Sequence, residues 1–222
     1  MSDKNGILSE NMQGFLSGFN KHAQGKLGEL QRQAYKDGIP IITQDVVQYL
    51  TIMLNIKKPM RVLEIGCAIG FSASLFASLV PAGGKVTTID RYELMTTRAK
   101  ENFAKLGFND KIELIEEDAA TVLPRLVEEG KQFDFIFMDC GKGQYSRFFV
   151  HIKKLLAPGG IFCTDDIFQD GDVALEFEEI VKRQRTIYRN LREFLDAVTS
   201  DDELDTVILP IGDGLLVSHK RG

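Results

Sequence analysis

Cysteine is scarce in this 222-residue chain, and the three present, Cys67, Cys140 and Cys163, are an odd number without CxxC spacing. Neither a disulfide framework nor a zinc site is indicated, so reduced thiols packed as small apolar groups are expected. Long apolar runs are missing too. No stretch reaches the roughly 18 residues that a membrane helix needs, and the opening MSDKNGILSENMQGFLSGFN has no apolar signal core. A cytoplasmic protein with no membrane attachment is the expectation. Positive charge is in deficit, since 27 Lys and Arg against 32 Asp and Glu leave a net charge of −5. That excludes a surface that binds nucleic acid all over, while leaving room for a local basic patch. There is no internal repeat, no low-complexity segment and no linker rich in Pro, Gly or Ser, so residues 1–222 read as one domain.

What is present is the balance of a folded domain, 44% hydrophobic and 27% charged. From Met60 onward, short β-branched or aromatic runs alternate with amphipathic helical stretches. The pattern predicts strands at Arg61 to Ile65, Lys85 to Asp90, Ile112 to Ile115, Phe133 to Met138 and Ile161 to Thr164. Strand–helix alternation with continuously apolar strands implies an α/β, doubly wound, mostly parallel sheet with functional loops at the carboxyl ends of the strands. After Asp172 a long helical pattern runs to about Thr199. Two last strands, Leu204 to Leu209 and Leu215 to His219, then flank a Gly212-Asp213-Gly214 turn as a β-hairpin. Residues 1–58 read as three helices, about Gly6 to Phe19, Ala23 to Lys36 and Gln44 to Leu54, forming a cap or dimer element ahead of a core at 59–222.

Within Val62-Leu63-Glu64-Ile65-Gly66-Cys67-Ala68-Ile69-Gly70-Phe71-Ser72, a strand runs through small residues into a helix. Glycines let a ligand approach the backbone, and the helix start offers unpaired N–H groups. A dinucleotide loop is G-x-G-x-x-G, whereas here Glu64 precedes an E-x-G-x-x-x-G loop. A carboxylate there repels pyrophosphate and suits a cationic ligand, and S-adenosylmethionine carries both an ammonium and a sulfonium. Asp90, ending the second strand, has the acceptors for both ribose hydroxyls, and Asp118 with Ala119 lies within reach of the adenine amino group.

Asp139 ends one apolar strand and Asp165-Asp166 ends the next. Neighbouring strand ends lie about 5 Å apart, so the three carboxylates are expected to converge, and a hard dication such as magnesium would relieve their repulsion. A DD pair that merely caps a loop is the plain alternative. Lys142, three residues beyond Asp139, is placed to take a proton from a substrate hydroxyl, its own proton affinity lowered by metal and burial; a solvated loop lysine is as good a reading.

The segments VLEIGCAIGFSAS, FIFMDCGKGQY, GGIFCTDDIF and VILPIGDGLLVS resemble the cation-dependent O-methyltransferases that include the catechol and caffeoyl-coenzyme A enzymes, over about Ile39 to Lys220. The KGQY segment, the RQRTIYRNLREFL helix and the PIGDGLLVS hairpin look most like a bacterial branch that methylates 5-hydroxyuridine at the tRNA wobble position. The resemblance implies a seven-stranded class I methyltransferase sheet with one reversed strand, a homodimer, and metal ligands at Asp139, Asp165 and Asp166. It also implies S-adenosyl-L-methionine contacts at Ile42, Glu64, Gly66, Ser72, Asp90 and Ala119, a catalytic Lys142, and Mg2+ or another divalent cation as the metal. Asp139 would thus serve catalysis, cofactor and metal together. One departure is Asp166, where the family usually has asparagine; a third carboxylate should tighten cation binding and weaken its acidifying effect on a bound hydroxyl.

The resemblance puts 5-hydroxyuridine in tRNA first as the acceptor and a small catechol-like or phenolic molecule second; the metal site cannot choose between them, because both present a hydroxyl beside a second oxygen. Lys182, Arg183, Arg185, Arg189 and Arg192 form a basic stripe along which RNA phosphates would lie; a solvated face paired with Glu178, Glu179 and Glu193 is the plain alternative. An NAD-dependent dehydrogenase and a non-catalytic S-adenosylmethionine-binding protein are the remaining readings.

Overall fold

A computed structural model describes residues 10–222, and within it seven strands form one sheet in the order β3-β2-β1-β4-β5-β7-β6. The strands are β1 (Arg61–Ile65), β2 (Lys85–Ile89), β3 (Ile112–Ile115), β4 (Phe133–Met138), β5 (Leu156–Thr164), β6 (Leu204–Leu209) and β7 (Leu215–Lys220). The first five pair in parallel, and β7 alone runs against its neighbours. The doubly wound sheet with one reversed strand is therefore as expected. Strand β5 begins five residues before the predicted Ile161, because Leu156 already pairs with Phe133 across an irregular register, and Ala157-Pro158-Gly159-Gly160 carries no apolar period to announce it.

Period-two alternation divides the core into two layers. On one face Val62, Phe135 and Phe137 pack with α3 (Gln44–Lys57), α4 (Phe71–Leu79) and α5 (Glu93–Leu106). On the other, Leu63, Ile136 and Met138 pack with α6 (Ala119–Glu128), α7 (Tyr145–Leu155) and α8 (Arg185–Thr199). Helix α8 buries Leu191, Phe194 and Val198, the i, i+3, i+7 spacing of a single apolar stripe. Two earlier helices, α1 (Glu10–Ser17) and α2 (Gly25–Lys36), precede these among the described residues; the Gly6-to-Ser9 part of the first predicted helix lies outside them. Helix α2 packs on α4 and α5.

The helix predicted from Asp172 to Thr199 is corrected to α8 alone. Residues 172–184 form a strap with two short 3-10 turns, and α8 holds it by its carbonyls: Arg192 Nη1 donates to Val173 O, Tyr188 Oη to Leu175 O and Arg185 Nε to Ile180 O, each at 3.0 Å. Backbone groups satisfied from a neighbouring helix do not need a helix of their own.

Phe194 joins α8 to the sheet, meeting the rings of Tyr145, Phe149 and Phe162 at centroid distances of 5.5, 5.7 and 6.4 Å. Its side chain is fully buried. Phe194→Ala is expected to cost about 3–5 kcal/mol, read as a lower midpoint in urea, through lost transfer energy and the cavity left behind.

Candidate active site

The order of strands reverses between β1 and β4, and the crevice outside their carboxyl ends is where an open α/β sheet binds its ligands. Pairing continues past the strand ends: Gly66 N donates to Ile89 O and Asp139 N to Ile65 O, both at 2.9 Å. The glycine loop and Asp139 thus leave the sheet side by side. Gly66 has φ +99°, and a Cβ there would lie 1.9 Å from Asp139 O. Gly70, at φ +81°, leaves room for the Phe103 ring, 2.4 Å from a would-be Cβ. The first requirement on these glycines is internal packing, with ligand approach following from it.

A cavity of about 350 Å³ opens here, walled by the loop, Ile42, Ser72 and Asp90 on one side and by Asp118, Ala119 and Asp139 on the other. Seven of the predicted positions therefore share one pocket: Ile42, Gly66, Ser72, Asp90, Asp118, Ala119 and Asp139. Asp90 is more occupied than expected. Its Oδ2 accepts from the amides of Cys67 and Ala68 at 3.0 and 2.9 Å, and its Oδ1 from Tyr92 N at 3.0 Å, so it fastens the glycine loop as well as facing the cavity. Asp118 caps α6 through Ala120 N and pairs with Arg91. Pro40, Tyr92, Gln144 and Arg147 also line the pocket and were missed: Pro40 and Tyr92 lie in loops, which carry no periodic signal, and Gln144 and Arg147, in a 3-10 turn and on α7, have no sequence feature that marks them for a ligand.

Glu64, expected to contact the cofactor, does not line the pocket and lies beneath its floor. It is fully buried, Thr88 Oγ1 donates to its Oε2, and its Oε1 has no hydrogen-bond partner. Burial pushes its carboxyl up to about 7 against the help of Ser72 and Thr88. An orphaned buried carboxylate oxygen under a small-residue loop fits a cationic ligand.

Asp165 follows Met138 in the ladder through Asp165 N to Met138 O at 3.2 Å, which sets the second acid beside the first. Burial, then the charge of Asp166, lifts Asp139 to about 6, with Lys142 opposing. Burial, then Asp139 and Asp166, lifts Asp165 to about 8. The three acids are coupled, but no three Asp, Glu, His or Cys side chains among the described residues close into a metal cage. The expected tight convergence is corrected in one respect: Asp166, with φ +60° and its side chain 45% exposed, turns toward Lys142, 3.5 Å from Nζ. The all-oxygen donor set and the raised proton affinities fit a hard cation.

The basic stripe divides in the structure. Arg185 and Arg189 lie 4.8 and 5.7 Å from the Phe177 ring centroid, and Arg185 and Arg192 donate to strap carbonyls, so three of the five cations have partners within the chain, while Arg189 and Arg192 remain exposed. None forms an ion pair with Glu178, Glu179 or Glu193 among the described residues. No helix among the described residues is long and apolar enough to cross a membrane.

The O-methyltransferase family model matches residues 20–221, nearly all of the chain. The chain belongs to the O-methyltransferase family. A caffeoyl-CoA O-methyltransferase from Stellaria longipes is 30% identical over 171 residues, covering 76% of this chain and 71% of the relative. A Staphylococcus aureus structure of the caffeoyl-CoA O-methyltransferase type superposes with a TM-score of 0.85 at 27% identity, covering 95% of this chain and 100% of the other. An O-methyltransferase from Bacillus cereus, solved with SAH, shares the fold with a TM-score of 0.81 at 21% identity, covering 95% and 97%. Family membership carries the reaction class, an S-adenosylmethionine-dependent methyl transfer to oxygen, and removes the dehydrogenase alternative.

Glu64 generates a stability prediction. Lifting its carboxyl from 4.5 to about 7 costs the folded chain roughly 3 kcal/mol at pH 8. Because the folded carboxyl holds its proton more tightly than the unfolded one, this stability is fully present below pH 4.5 and is lost as pH rises through about 7. Urea denaturation at pH 5 and pH 8 should show Glu64→Gln losing less stability across that interval than the parent. An equal loss in the two proteins would remove Glu64 as the cause.

Proposed function

We propose that this chain uses S-adenosylmethionine and a divalent cation to methylate a hydroxyl that stands beside a second oxygen on the acceptor. The observation that carries this reading is a line of buried carboxyls with raised proton affinity, Glu64, Asp139 and Asp165, running from beneath the cavity toward Lys142. A pocket that lifts three acids this far is short of positive charge, and a sulfonium donor with a dication supplies it. Glu64 and the glycine loop would receive the charged amino-acid end of the donor, with Asp90 at the ribose and Asp118 and Ala119 at the base. Asp139, Asp165 and Asp166 would hold magnesium, which when bound serves as Lewis acid and template for the two acceptor oxygens. Lys142 Nζ, beside Asp166, is placed to receive the hydroxyl proton.

For the acceptor, a small catechol-like phenol is supported by the caffeoyl-CoA relatives and by the contacts that Arg185, Arg189 and Arg192 already make to the strap and to Phe177. The second reading, 5-hydroxyuridine at the tRNA wobble position, is supported by Lys182, Arg183 and Arg147, exposed cations with no ion-pair partner among the described residues. A homodimer belongs to the same proposal; exposed Ile52 and Ile56 on the outer face of α3 offer it an apolar contact.

Methyl incorporation from labelled S-adenosylmethionine should be measured with a catechol and with tRNA carrying 5-hydroxyuridine, with and without chelator. Chelator-sensitive labelling of catechol alone is expected; labelling of tRNA alone would move the protein to the RNA reading, and labelling that survives chelation would sink the cation's role. Asp166→Asn is expected to raise the magnesium concentration for half-maximal rate, since it removes one of three charges from the site. An unchanged or lower requirement would contradict the charge argument.

A further inference from the structure

The Gly212-Asp213-Gly214 turn, read in the sequence only as a hairpin connection, reaches the proposed active site. Both oxygens of the Asp213 carboxylate accept from Asp170 N at 3.0 Å, and its Oδ2 lies 3.6 Å from Lys142 Nζ. Lys142 is thereby suspended between two anions, with Asp166 Oδ2 at 3.5 Å on the other side, and its side chain is only 18% exposed. The turn that carries Asp213 is itself fixed: Gly212 N donates to Asp45 Oδ2 at 3.0 Å, and Phe168 N donates to Asp213 O at 2.8 Å. Gly214, at φ +87°, lies flat against the Phe168 ring, 2.3 Å from where a Cβ would stand.

We propose that Asp213 is a positioning residue that keeps Lys142 Nζ in the cleft, its carboxylate facing the N–H groups that both the amine and the ammonium carry. The inference rests on the function proposed above, in which Asp166 is committed to a cation. An Asp166 so committed has less negative charge to offer Lys142, and Asp213, which is tied to the hairpin and to the Asp170 amide and not to the cation site, becomes the anion that retains it. On the opposite flank Asn190 Nδ2 donates to Gly143 O at 2.8 Å, while Ser146 Oγ donates to Asn190 O at 2.6 Å, which fixes the backbone next to Lys142 but not its long side chain. The flexible four-carbon stem of a lysine needs such a tether if its nitrogen is to stay at one place.

The test uses Asp213→Asn, which keeps an acceptor for the Asp170 amide and removes the charge, with Asp213→Ser as a second neutral variant and Asp213→Glu as the conservative one. With magnesium present and donor and acceptor absent, acylation of Lys142 by acetic anhydride, followed by peptide mass spectrometry against the other lysines as internal controls, should be several-fold faster in both neutral variants and near the parent rate in Asp213→Glu. With donor and acceptor, kcat should fall about tenfold or more, as a misplaced group costs, while the KM for S-adenosylmethionine stays put. In a Lys142→Met background the Asp213→Asn change should then add nothing. Unchanged Lys142 labelling in a folded neutral variant, or an additive loss in the double variant, overturns the proposal. Absence of turnover in the parent protein would instead count against the methyltransferase reading, and the labelling experiment would still decide whether Asp213 holds Lys142.

Discussion

The parallel pairing of β1 with β4 is the constraint on which the site depends. It carries the chain's two most consequential loops out of the sheet in register, so that Gly66 lies against the carbonyl of Asp139 with no room for a side chain between them. Cofactor loop and first acid are therefore one construction, and the crevice at the reversal of strand order follows from it. The next step of the ladder, Asp165 N to Met138 O, adds the second acid by the same rule. Hydrogen bonds that belong to the fold thus decide which carboxyls meet.

Five strands and their carboxyl-end acids were legible because their signal is local: an apolar run of fixed period closed by an acid or a glycine. The strand bounds matched at β1, β3, β4 and β6 and fell within a residue at β2 and β7. The strap at 172–184 was not legible. Its residues repeat helical spacing, but its backbone is satisfied by Arg185, Tyr188 and Arg192 from α8, and a partner supplied by tertiary contact leaves no period in the sequence. The same contacts give three of the stripe's five cations partners that their spacing did not announce. Charge spacing shows which residues share a helix face and not what covers that face.

Asp90 shows how an assignment made from strand position can be incomplete. Its position at the end of β2 marks it for the cofactor, yet the carboxylate also accepts three backbone amides, two of them from the glycine loop. Replacing it would disturb the loop as well as any ribose contact, so a loss of cofactor binding at this position would not by itself prove a direct hydrogen bond. Glu64 is the cleaner probe, since one of its oxygens has no partner and the other is held by Thr88.

Electrostatically, the cleft is built against the fold's own stability. Burial lifts Glu64, Asp139 and Asp165 together, and like charge adds to each. A chain gains nothing in folding from such a grouping, whereas a cationic ligand gains the whole of the deficit on binding. Lys142 offsets only part of it, because it stands at 3.5 Å or more from its nearest acids, Asp166 and Asp213, and is shared between them. A lysine drawn fully onto one buried carboxyl would neutralise the cleft and leave less for a ligand to bind. Held between the outer two acids, it stays near the reaction site while the inner pair, Asp139 and Asp165, remains short of positive charge.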